Sequence, residues 1–268
     1  MGKLAELVYP RRGNFKGHGC MAGRNRPALH LWRHCPVDRA DSMICLYSGT
    51  PGSGKSLHTA ANIKARLALG KPVISNFPID TERVRHPELF LYVPNGRLKP
   101  DFLVEFSRQY FAGKRVKEEE IFLIIDEAQL LFNAREWQAV NASGWISFFT
   151  QHRKYGYHCI LIAQFDRMLD RQIRSLIEYE FIHRKVSNFG LVGKIMSAVA
   201  LGKLFVSVQV WYPLKEKVGS EFFIARPGLY RLYDTYGDFS SGGTCGGVGV
   251  GGSPQPPPVA QTEKGVKT

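Results

Sequence analysis

Eight consecutive residues, Gly49-Thr50-Pro51-Gly52-Ser53-Gly54-Lys55-Ser56, have the types and spacing needed to wrap a polyphosphate. Glycines let the backbone curl so that successive N–H groups point inward, and a helix starting directly after the loop adds positive potential at its N-terminus. In that arrangement Lys55 reaches the β- and γ-phosphates of ATP and the Ser56 hydroxyl ligates Mg²⁺, while Leu57 closes the set of nucleotide-binding residues. The complementary acids follow the wholly apolar run Ile121–Ile125, which ends on Asp126 and Glu127. A carboxylate emerging at the end of a buried strand beside the phosphate loop suits Asp126 to hold the metal through water. Glu127, one residue on, is placed to polarise an attacking water as a general base.

Three further residues are candidates for the same chemistry. Gln164 follows an apolar run at the point where open α/β sheets present ligand-facing groups, so it reads either as a γ-phosphate sensor or as a solvent-facing loop amide. Arg171 and Arg174 share one helix face and could enter a neighbouring subunit's site as arginine fingers; a salt bridge from Arg174 to Glu178 is the competing reading. Arg135, Arg153, Lys154, Arg184 and Lys185 could line a nucleic-acid path, or form a solvated basic face.

These residues need a scaffold of alternating strands and helices. Strands are expected at 43–47, 73–77, 121–125 and 157–163, and helices at 55–69, 102–111 and 144–155, the last ending at Gly156. Asp166 is positioned to cap the next helix, with Leu169, Ile173, Leu176 and Ile177 on its apolar face. From Leu204 to Trp211 apolar side chains alternate with a second set, the period-2 signature of a strand with two distinct faces. The pattern predicts an α/β fold with a mostly parallel sheet and helices on both faces.

Around this core, residues 1–42 carry eight Lys/Arg against Glu6, Asp38 and Asp41, and read as a flexible basic leader or as the product of a start codon upstream of Met43. Residues 43–236 form the ATPase domain, and 237–268, rich in Gly and then Pro, a disordered tail. The formal charge of +13 points to polyanionic partners, nucleic acid or anionic lipid. Five cysteines without metal-ligand spacing imply reduced thiols and no structural metal, with Cys45 and Cys159 as core residues. No secretory signal is evident, and the best membrane candidate, 189–212, is interrupted by Lys194 and Lys203, so no transmembrane helix is expected.

The order of motifs resembles the Zot-like (zonular occludens toxin N-terminal) family, the gene I type assembly ATPases of filamentous phages. The carrying segments are Met43–Tyr47 leading into the phosphate loop and Leu57, SNFP at Ser75–Pro78, IIDEAQ at Ile124–Gln129, Gln151–Gln164, Ile173–Phe181 and Leu232–Thr235. The resemblance implies a P-loop fold of the additional-strand type and a motor, homo-oligomeric and working with other phage assembly and export proteins. Such a motor extrudes single-stranded DNA, or a DNA–protein complex, at the inner membrane of the host bacterium. Because the chain runs into a Gly/Pro tail where members of the family continue into a transmembrane helix, the expected location is the host cytoplasm or the cytoplasmic face of that membrane, with membrane contact through a partner. A nucleotide kinase and a nucleotide-dependent scaffold or toxin-like interaction protein are the competing readings. Glu127 beside Asp126 favours water over a second substrate as phosphoryl acceptor.

Overall fold

The computed structural model describes residues 43–133, 139–199 and 203–233. The basic leader, the Gly/Pro tail and Arg135 lie outside the described residues. Eight strands, β1 (Ile44–Ser48), β2 (Val73–Ser75), β3 (Phe90–Tyr92), β4 (Ile121–Ile125), β5 (Tyr157–Ile162), β6 (Tyr179–Lys185), β7 (Leu204–Trp211) and β8 (Glu216–Ile224), make one sheet in the order β3-β2-β4-β5-β1-β6-β7-β8. From β3 to β6 every pairing is parallel, and β7 and β8 add an antiparallel ribbon at one edge.

Side-chain alternation along the strands divides the core into two layers. Cys45, Tyr47, Phe122, Ile124, Ile160 and Ile162 pack on one face with Leu57, Ala60, Ile63 and Leu67 of α1 (Lys55–Ala68) and Leu229 of α6 (Pro227–Tyr230). Ile44, Leu46, Leu123 and Leu161 pack on the other with residues of three helices. These are Leu103 and Phe106 of α2 (Pro100–Tyr110), Trp145, Phe148 and Phe149 of α3 (Ala139–Gln151), and Ile173 of α4 (Arg171–Ser175). A strand buried on both faces cannot alternate polar with apolar, which is why Ile121–Ile125 is apolar throughout. Cys45 and Cys159 are buried in these layers, and neither forms a disulfide among the described residues.

Several expected elements are shifted by local hydrogen bonding. The second strand stops at Ser75 rather than residue 77, because the Ser75 hydroxyl accepts the Phe77 N–H at 2.8 Å and turns the chain out of the ladder. Asp166 does not cap α4. Asp170 does, accepting from Gln172 N, while Asp166 accepts from the Tyr212 hydroxyl and Lys215. The longer helix expected there is not formed: α4 spans only five residues, so of Leu169, Ile173, Leu176 and Ile177 only Ile173 lies in it, although Leu169, Ile173 and Ile177 are all buried. The 189–212 stretch is two elements, α5 (Gly190–Val199) and β7, and no described helix is long and apolar enough to cross a membrane. Strands β3, β6 and β8 and helices α5 and α6 had no expectation attached to them.

Candidate nucleotide-binding site

The phosphate loop leaves β1 at the buried Ser48 and is held against β5 by Gly49 N donating to Gln164 O at 3.1 Å. Two of its glycines are required by close approach as well as by backbone angle. Gly49 sits at φ 138, where a Cβ would stand 2.4 Å from the His183 carbonyl oxygen of β6; Gly54 sits at φ 95, where a Cβ would stand 2.8 Å from the Phe205 ring of β7. Thus β6 and β7 press the loop into its curl from behind.

What the loop encloses suits an anion. No side chain caps the start of α1 and its first turn carries no acid, so the helix end keeps its positive potential. The Ser53 hydroxyl is buried without a protein partner, an orphan that a phosphate oxygen would satisfy. Lys55 folds back over the loop, its Nζ donating to Gly49 O at 2.6 Å and Thr50 O at 3.3 Å. Burial lowers the Lys55 pKa, and the charges of Glu127 and Asp126 oppose that shift. Leu57 faces the core, so its side chain contributes packing and only its backbone can serve the loop.

Asp126 follows β4 and is 8% exposed. Desolvation pushes its carboxyl up to about 6; the Glu127 N–H, 2.9 Å from Asp126 Oδ1, pulls it down, the Glu127 charge pushes it up further, and Lys55 opposes. A buried carboxylate whose charge is costly at the end of β4, and the Ser56 hydroxyl at the start of α1, are hard-oxygen donors of the kind that suit Mg²⁺, which binds through one or two such groups plus water and phosphate. Glu127 adopts φ 47 and ψ 48, the left-handed region, and its carboxylate accepts from the Gln129 amide.

The half-buried Gln164 is thus brought beside the loop, and with Ser48, Gly49, Thr50, Asp166 and Glu180 it lines a cleft of about 500 Å³. Arg171 and Arg174 are not brought to it. Arg171 is exposed, and neither makes a hydrogen bond or ion pair with the loop among the described residues. Nor does Glu178 join Arg174. It accepts two hydrogen bonds from Arg153, at 3.2 and 3.1 Å, which also neutralises one member of the expected basic cluster.

Four residues of the site were not anticipated. Asn76, just past β2, hydrogen-bonds both backbone groups of Asp126 and is joined by Asn95. His58 and His183 pair behind the loop. Only Asn76 carried a signal, as the polar residue after a short apolar strand in the SNFP segment. The histidines lie 125 residues apart and nothing local marks them as partners.

Insertion of β5 between the phosphate-loop strand β1 and the acidic strand β4 places the chain among the P-loop nucleoside triphosphatases of the additional-strand class. Over residues 43–220 it matches the Zonular occludens toxin (Zot) family, and it belongs to that family. Among curated proteins it is 27% identical over 213 residues to the Gene 1 protein of Enterobacteria phage fd, and 25% identical over 215 residues to that of Salmonella phage IKe. Each match covers 74% of this chain, but only 60% and 58% of the relative's length. Among solved structures it is similar to the N-terminal domain of zonular occludens toxin from Neisseria meningitidis, with a TM-score of 0.48 and 19% identity over 73% of this chain and 100% of that one. It is also similar to the genome packaging NTPase B204 from Sulfolobus turreted icosahedral virus 2 in complex with ATP-gammaS, with a TM-score of 0.41 and 17% identity over 70% of this chain and 98% of that one. Structural likenesses of that degree carry no weight for function.

Proposed function

We propose that the chain is an ATP-hydrolysing motor for assembly and export of a filamentous phage virion, coupled to extrusion of single-stranded DNA at the inner membrane of the host. What supports this reading is that the charges of Asp126 and Glu127 act on Lys55 at the start of α1, within a chain of the Zot family. In this role Gly49–Ser56 hold the polyphosphate, Ser56 and Asp126 hold Mg²⁺, and Glu127 orients and deprotonates the attacking water. Bound Mg²⁺ supplies charge neutralisation at the β- and γ-phosphates. Gln164 reports on the γ-phosphate from the end of β5, and Arg171 or Arg174 acts across an interface between copies. The net charge of +13 supports a polyanionic cargo.

The test is steady-state ATP hydrolysis by the full chain, with and without single-stranded DNA, beside Glu127→Gln. Hydrolysis that depends on Glu127 and rises with DNA supports the motor. Hydrolysis indifferent to DNA supports an ATPase driven by another trigger, and phosphate transfer to an added nucleoside monophosphate would replace this reading with a kinase.

A further inference from the structure

The parallel ladder between β2 and β4 pairs Val73 with Phe122, Ile74 with Leu123 and Ser75 with Ile124. Its last backbone bond is a long one, Asn76 N to Ile124 O at 3.4 Å. Beyond it the Asn76 side chain takes the place of the backbone. Its Oδ1 accepts from Asp126 N at 2.6 Å and its Nδ2 donates to Asp126 O at 2.8 Å, the donor and acceptor pair that one more rung would have supplied. The second Nδ2 proton goes to Asn95 Oδ1 at 2.6 Å. Asn95 thereby fixes which way round the amide sits, because a flipped Asn76 would set N–H against N–H and oxygen against two oxygens.

This clamp acts on the residue whose peptide leads into Glu127. At φ 47 Glu127 occupies a conformation that costs a residue with a Cβ, and it persists only where neighbouring bonds hold it. Glu127 N donates to Asp126 Oδ1 at 2.9 Å, a bond that presupposes a fixed Asp126, and Leu130 N donates to Glu127 O at 2.8 Å, which ties Glu127 into the following turn. Asn76 itself is 3% exposed and is walled off from water.

We propose that Asn76, seated by Asn95, is the positioning residue for the general base: it pins the Asp126 backbone in the orientation from which Glu127 turns into the left-handed region and aims its carboxylate. The inference rests on the hydrolysis reading above. Asn76 touches no reacting atom, so its loss alters the fraction of time Glu127 is correctly aimed and leaves the phosphate cradle intact.

The experiment uses the full chain with Asn76→Ala, Asn95→Ala, Glu127→Gln and the double variant Asn76→Ala/Glu127→Gln. It measures kcat and KM for ATP, equilibrium binding of a fluorescent ATP analogue, and the melting midpoint. Asn76→Ala is expected to lower kcat by about 30-fold or more with nucleotide affinity within about threefold, in line with the cost of misplacing a catalytic group by about 1 Å. Asn95→Ala, which leaves both Asp126 bonds in place, is expected to cost about threefold in kcat. The double variant is expected to turn over no more slowly than Glu127→Gln alone, since Asn76 acts only through that side chain. An unchanged kcat in Asn76→Ala, a loss of affinity in step with kcat, or additive losses in the double variant would each overturn the proposal. If Asn76→Ala does not fold, Asn76→Asp, which keeps the acceptor for Asp126 N and loses the donor to Asp126 O, takes its place under the same criteria. A wild-type chain that binds the analogue and does not hydrolyse ATP would refute the hydrolysis reading, and this inference with it. Normal wild-type turnover with an indifferent Asn76→Ala would refute this inference alone.

Discussion

His58 Nδ1 lies 2.8 Å from His183 Nε2, joining α1 to β6 directly behind the phosphate loop. His183 Nδ1 is 2.9 Å from the Phe181 carbonyl, so it is the protonated nitrogen and Nε2 is left to accept from His58. Both rings are buried against Tyr47 and Phe223. Desolvation holds the His58 pKa down at about 4, and desolvation together with the His58 ring holds His183 well below its ordinary value.

A folded-state pKa depressed below the unfolded value means that the unfolded chain binds more protons. The stability His58 contributes is therefore complete above pH of about 6.5 and is lost as pH falls towards its folded value, a change of about 3 kcal/mol in all. Asp126, held up at about 6, works in the opposite sense, because protonation relieves its burial as pH falls through that value. Melting midpoints in the Asp126→Asn background should fall between pH 7 and 4.5, and His58→Phe should flatten that fall while lowering stability at pH 7. A midpoint independent of pH across this window would rule the histidine pair out as an acid-labile element.

Lys55→Ala should weaken ATP binding by about 10- to 100-fold, the scale of a lost charge-assisted contact. Glu127→Gln should keep binding within about threefold and lower turnover by at least about 100-fold. Titration with a fluorescent ATP analogue alongside steady-state hydrolysis separates the two effects. Similar turnover in wild type and Glu127→Gln would remove Glu127 from the role of base.

The three loop glycines should differ in their tolerance of alanine. Gly52 opens onto space at φ 73, so Gly52→Ala meets backbone strain alone, about 1 kcal/mol. Gly54→Ala adds a contact with the Phe205 ring, which Phe205→Ala should partly relieve. Gly49→Ala meets the His183 carbonyl, which cannot move without bending β6, and should be the costliest of the three. Urea unfolding of the three single variants checks the order.

Glu180, 7% exposed, accepts from the Ser48 hydroxyl at 2.7 Å and from Lys215 at 3.0 Å, and Lys215 also reaches Asp166 at 3.3 Å. Lys215→Ala should cost about 1 to 2 kcal/mol by leaving a buried carboxylate short of a partner. Glu180→Gln in that background should recover part of the loss, as the neutral amide needs no counter-charge. Urea midpoints of the two variants decide it, and no recovery would mean that Lys215 acts through its packing on Tyr212.

The local half of the site was legible because its chemistry is consecutive. Gly49–Ser56 and Ile121–Glu127 carry their own geometry, since a strand, a turn and a helix start follow from neighbouring residue types. The sequence by itself determined the phosphate-loop motif, the acidic pair that ends the apolar strand, and the α/β class. Which side chains meet across the sheet was decided only by the tertiary structure. Asn76 reaches Asp126 because β2 and β4 are adjacent, His58 reaches His183 because α1 lies over β6, and Glu178 pairs with Arg153 rather than Arg174 because α4 ends at Ser175, which leaves Glu178 outside the helix that would have set the two one turn apart. A hydrogen bond depends on position in space, and positions 50 or 125 residues apart are set by strand order, which periodicity along a single chain does not encode.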